Sequence, residues 1–65
     1  MKVVKVSRII KMLMIDGWYL DRQKGSHRQF KHPKKLGVVT VNGKPSDDTW
    51  GNELRSIEHQ SGLIF

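Results

Sequence analysis

Residues 18–32 decide the fold: Trp18-Tyr19-Leu20-Asp21-Arg22-Gln23-Lys24-Gly25-Ser26-His27-Arg28-Gln29-Phe30-Lys31-His32. Two extended segments, Trp18 to Gln23 and Ser26 to His32, flank Lys24-Gly25, and a glycine at a short connection is the usual mark of a β-hairpin turn. A third segment, Val38 to Val41, follows the turn-rich Pro33-Lys34-Lys35-Leu36-Gly37. Three antiparallel strands are expected. The same stretch puts His27 at a chain reversal inside a basic segment. Histidine can take and give protons near neutral pH, and flanking cations gather phosphates around it.

Charge is concentrated in the same place. From Arg22 to Lys35 there are six basic residues (Arg22, Lys24, Arg28, Lys31, Lys34, Lys35) and no acid. The rest of the chain carries six basic and six acidic residues, so this run makes the net charge of +6. A polyanion is the expected ligand of that run. The competing explanation is a solvated surface kept for solubility.

The chain has 65 residues and is expected to form one domain over 1–65. A domain of that size buries only about 60% of the surface its unfolded chain exposes, so modest stability is expected. It contains no cysteine. Disulfides and thiolate metal sites are thereby excluded, and a reducing cytoplasm fits. The longest uncharged apolar run, Met12 to Ile15, falls far short of the ~20 residues that span a bilayer, and the N-terminus lacks a signal-peptide apolar region. A soluble protein without membrane association is expected.

Outside the strands the hydrophobic period is helical. Val6, Ile9, Ile10, Leu13 and Met14 predict a first helix over about Ser7 to Asp16, with Ser7 as N-cap and Gly17 as the left-handed stop. Asn42 to Thr49 is turn chemistry throughout and reads as a loop. A second helix begins near Gly51 or Asn52, with Asn52 as N-cap. It buries Leu54, Ile57 and Ser61 and ends at Gly62. The fold class is therefore α+β, in the order α-β-β-β-α, a three-stranded antiparallel sheet with both helices on one face. The expected core is Ile9, Ile10, Leu13, Trp18, Leu20, Phe30, Val39, Val41, Leu54 and Ile57. If Phe30 faces the helices, alternation sends His27, Gln29 and Lys31 to the solvent face, with Thr40 beside them.

The motifs Gly17-Trp18-Tyr19, Gly25-Ser26-His27-Arg28-Gln29-Phe30-Lys31-His32-Pro33, Val39-Thr40-Val41, Leu54-Arg55-Ser56-Ile57 and Gln60-Ser61-Gly62-Leu63 resemble the HicA toxin family of toxin-antitoxin modules. The resemblance covers almost the whole chain. It departs at Asn42, where many members carry Pro, and at Asn52-Glu53, where many carry Gly-Thr. It implies a double-stranded-RNA-binding-like fold, cleavage of mRNA, a catalytic histidine that corresponds to His27, and neutralisation by a HicB-like antitoxin.

The residues themselves suggest how such cleavage would run. His27 would remove the proton from a ribose 2′-OH, which then attacks the adjacent phosphate; DNA, lacking that hydroxyl, would be spared. Lys24, Arg28 and Lys31 would place the phosphate and stabilise its growing charge. Strict alternation, however, puts Arg28 on the Phe30 face. The expected RNA-binding set is Lys24, Gly25, Ser26, Arg28, Lys31, Lys34 and Lys35. No cofactor is implied, and no metal site, since the three histidines lack ligand spacing and Asp47-Asp48 suit a turn. His32, before Pro33, either fixes the turn by a hydrogen bond or touches a phosphate; His59 lies beside Glu58. Two other classes are compatible with the residues. One is a non-catalytic double-stranded-RNA-binding module, and the other is a subunit whose basic face meets an acidic protein. The apolar tail Leu63-Ile64-Phe65 is expected to fold back on the core or to pack on a partner.

Overall fold

The expected hairpin is built on Gly25. In the computed structural model, which describes residues 1–65, strands β2 (Tyr19–Lys24), β3 (His27–Lys31) and β4 (Val39–Val41) form an antiparallel sheet in the order β2-β3-β4. Lys24 pairs with His27, so the turn is Gly25-Ser26, one residue later than the sequence suggested. Gly25 has φ +58° and Ser26 has no positive φ, the pattern of a type II′ turn, whose right-handed twist matches the strands.

Helix α1 (Val6–Ile15) ends as expected. Gly17 sits at φ +104°; its amide donates to Met14 O and that of Trp18 to Leu13 O, which together form a Schellman stop. Its start differs from expectation. Ser7 lies inside the helix, and Lys5, the capping residue, makes no side-chain capping bond. Backbone carbonyls of a distant loop replace the cap: Val6 N–H donates to Asp47 O at 2.9 Å and Ser7 N–H to Pro45 O at 3.0 Å. Two otherwise orphaned helix donors are satisfied by tertiary contact.

That loop is shorter than the sequence indicated. Asp48 and Thr49, expected to be irregular, belong to strand β5 (Asp48–Trp50), which pairs antiparallel with β1 (Val3–Lys5). Val4 opposes Thr49, and both are buried. Strands of three residues are too short to show a period, and this pairing joins segments more than forty residues apart, so local chemistry carries no sign of it. Helix α2 (Gly51–Ser61) follows β5 directly, so Trp50, and not Asn52, occupies the capping position. The helix buries Leu54, Ile57 and Ser61 and ends at Gly62, as expected.

The core is Val4, Val6, Ile9, Leu13, Trp18, Phe30, Val39, Val41, Leu54 and Ile57, with Ile10, Leu63 and Phe65 packed on its margin. Leu20, expected to be in it, is 47% exposed. It pairs with Phe30 and so shares that face, but β2 is the edge strand and every residue of it is exposed. The opposite edge is protected: on β4 the Thr40 N–H donates to Gln60 Oε1 of α2 at 2.9 Å. The tail folds back, with Phe65 N–H donating to Glu58 Oε2 while Ile64 stays in solvent. Neither helix is long and apolar enough to cross a membrane.

Candidate functional site

The site is made by a break in the alternation of β2. Tyr19 pairs with Lys31 and Leu20 with Phe30, but the next pair is Arg22 with Gln29, which leaves Asp21 as a bulge. Without that extra residue Arg22 and Lys24 would share the face of Leu20 and Phe30. A shift of one residue sends every later side chain to the other face. Arg22 and Lys24 therefore stand beside His27 and Gln29. These four and Thr40 line a shallow cavity of about 330 Å³ that contains no hydrophobic and no acidic residue. A second depression, of about 280 Å³, holds no histidine.

On β3 the expected alternation holds. Phe30 is buried, Gln29 pairs with Thr40 between Val39 and Val41, and His27 is exposed. The His27 Nδ1 lies 2.6 Å from Asn42 Oδ1, and the ring makes no other hydrogen bond. Arg28 pairs with Val41 on the core side, where its Nη1 donates to Gly43 O at 2.6 Å and, more weakly, to Ser26 O at 3.4 Å. The Gly43 N–H in turn donates to Ser26 O at 3.2 Å. The loop after β4 is thus tied to the hairpin turn from two directions.

The other sequence-selected cations lie apart from the cavity. Lys31 shares its face but pairs with the bulged Asp21 at 3.6 Å. The acid-free run starts one residue after Asp21, so the count of charges missed an acid that the bulge brings to Lys31. Lys34 is exposed in the connection after β3. Lys35 reaches Asp16 Oδ2 at 2.6 Å and Ser61 O at 3.1 Å, joining the C-terminal ends of α1 and α2. Cations suit the unsatisfied carbonyls at a helix C-terminus. The hydrogen bond from Lys35 holds the Asp16 carboxyl below its ordinary value of 3.8, and one from Trp18 Nε1 adds to it.

His32 is fully engaged. Its Nε2 donates to Asp16 O at 2.8 Å, and its Nδ1 accepts from the amides of Lys34 and Lys35 at 3.0 and 3.1 Å. Its ring also meets Trp18 edge-on, with centroids 5.2 Å apart. Gly17 is required here for a second reason, because a Cβ on it would lie 2.8 Å from His32 Nε2. His59 is exposed on α2 and does not line the cavity. No three His, Cys, Asp or Glu side chains come together as a metal-binding group.

Sequence reasoning did not select Arg22, Gln29, Thr40 or Asn42 as site residues. Alternation had already turned Gln29 and Thr40 towards solvent beside His27. Arg22 needed the bulge and Asn42 needed the folded loop, and neither leaves a local signal. A family model described as the HicA toxin of bacterial toxin-antitoxin matches residues 6–63, a span that includes every residue of the cavity. No curated protein matches the chain.

Proposed function

The chain belongs to the HicA toxin family and is thus a toxin of a toxin-antitoxin system, and from that premise we propose that it is an endoribonuclease that cleaves mRNA with His27 as general base and without a metal ion. The observation that carries this reading is an exposed imidazole beside two cations, Arg22 and Lys24, in a cavity with no carboxylate among its lining residues, Asp21 Oδ2 lying 4.0 Å from Arg22 Nε.

His27 takes the proton of a ribose 2′-OH. The resulting oxyanion attacks the adjacent phosphorus, the bond to the 5′-oxygen breaks, and the products are a 2′,3′-cyclic phosphate and a 5′-hydroxyl. The departing 5′-oxygen receives a proton from Lys24 or from the imidazolium just formed. Arg22 and Lys24 hold the non-bridging oxygens as negative charge grows on the phosphorane, where fixed cations are most effective. Gly25 and Ser26 bring the backbone of the turn up to the strand being cut, while Lys31 and Lys34 extend the basic track for flanking phosphates. Arg28 and Lys35 contribute positive field, with their side chains anchored on the protein.

An antitoxin of the HicB kind would neutralise the toxin by placing Asp or Glu over the same face, so that partner and RNA compete. The cytoplasm, where mRNA is found, is the expected location. The test is His27→Ala, checked for folding by circular dichroism and for cleavage on a gel. A loss of about 10²–10⁴-fold at unchanged structure is expected for removal of a general base. A folded variant that cuts at the parent rate would exclude His27. A parent that binds RNA but never cuts it would favour the non-catalytic RNA-binding module. EDTA should leave the parent rate unchanged.

A further inference from the structure

A general base needs its lone pair aimed at the substrate, and in a neutral imidazole only one of the two nitrogens carries it. The Nδ1 of His27 lies 2.6 Å from Asn42 Oδ1. A carboxamide oxygen only accepts, so in this pair Nδ1 holds the hydrogen and the Nε2 lone pair is left for solvent and substrate. We infer that Asn42 is the positioning residue of the site, which orients His27 and selects its base-competent tautomer. The inference rests on His27 as the base of the ribonuclease reading.

The surroundings of Asn42 support this role. It is half-buried and follows Val41, a fully buried strand residue. The next residue, Gly43, is held at both its amide and its carbonyl: the amide donates to Ser26 O, and the carbonyl accepts from Arg28. The Arg28 guanidinium and the hairpin turn thereby hold the backbone that carries Asn42 in register with His27. The partner is also uncharged. The groups lining the cavity with His27 are Arg22 and Lys24 from β2, Gln29 from β3 and Thr40 from β4. A carboxylate at position 42 would orient the ring equally well, but it would put negative charge where a phosphate has to enter. A neutral acceptor orients the base without repelling the substrate.

Nitrogen-15 NMR of the His27 ring tests this in the parent, Asn42→Ala and Asn42→Asp, each at a pH above which its ring spectrum no longer changes. The parent should show hydrogen on Nδ1 and an unprotonated Nε2. Asn42→Ala should gain the form with hydrogen on Nε2 and lose about fivefold in cleavage rate, the scale of one neutral hydrogen bond. Asn42→Asp should keep the parent tautomer yet bind RNA more weakly, most clearly at low salt. Equal melting temperatures for the three proteins would exclude a merely structural effect. A parent ring with hydrogen on Nε2 would overturn the inference, as would an alanine variant unchanged in both tautomer and rate. A parent that shows the expected tautomer but cuts no RNA would remove the ribonuclease reading and leave the orientation of His27 by Asn42 standing.

Discussion

A histidine opens β3 and another follows it, with opposite fates. His27 opens the strand with one ring nitrogen bound to Asn42, and the residue lines a cationic cavity. His32 follows the strand with both nitrogens bound, to Asp16 O and to the amides of Lys34 and Lys35. Five residues apart in the same basic run, one ring keeps a nitrogen without a protein hydrogen bond and the other has both engaged. Residue type and local charge do not separate them. The number of ring nitrogens already engaged does.

Substituting each histidine by alanine breaks or upholds that contrast most sharply. His27→Ala should remove cleavage while leaving the melting temperature within a degree or two of the parent. His32→Ala should do the reverse. It removes a part-buried bond to Asp16 O, two exposed amide bonds and the edge contact with Trp18, at a cost of about 1–3 kcal/mol, which in a domain of this size lowers Tm by about 10 °C. Calorimetry and a cleavage gel on both variants decide the matter, and a His32→Ala protein that is stable but inactive would make His32 part of the chemistry.

Gly17→Ala probes the His32 contacts from the other side. At φ +104° an alanine is strained, and its Cβ would press on His32 Nε2. A loss of about 1–3 kcal/mol in urea unfolding is expected, with cleavage below the unfolding transition unchanged.

Charge reversal sharpens the comparison on the open side. Lys24→Glu or Arg22→Glu should weaken RNA binding and reduce the salt slope by about 1 or more, since each contact neutralises a phosphate. Lys44→Glu, outside the basic run, should do much less. Equal losses at all three positions would mean that diffuse charge, and no defined face, binds the RNA.

The smallest effect concerns acid. The Lys35 hydrogen bond lowers the Asp16 carboxyl beside His32, and the Lys2 hydrogen bond, followed by the Phe65 amide, lowers that of Glu58. A carboxyl whose folded pKa lies below its unfolded one stabilises the fold above the unfolded value and loses that contribution as pH falls through the folded value. Thermal stability should therefore be flat down to ordinary values of 3.8 and 4.5 and decline below them. Asp16→Asn should flatten part of that decline. An unchanged profile would show that the Lys35 contact adds nothing in solution, a common outcome for exposed pairs.

The amino-acid sequence by itself determined what depends on neighbours along the chain. Helical spacing from Val6 to Met14 and the glycine stops at 17 and 62 describe α1 and the end of α2, because each reflects a backbone conformation that local residues favour or forbid. Gly25 marks the hairpin for the same reason, and alternation from Phe30 sends His27 and Gln29 to solvent. Tertiary structure alone decided the rest. The Asp21 bulge turned Arg22 and Lys24 to the His27 side, and the β1–β5 ribbon joined the N-terminal strand to the segment before α2 through Val4 and Thr49. Carbonyls of Pro45 and Asp47 capped α1 in place of Ser7, and the tethered loop brought Asn42 to His27. Each of these joins groups with no local reason to meet, and only the closing of the shared core, which holds distant segments in register, makes the hydrogen bonds between them possible.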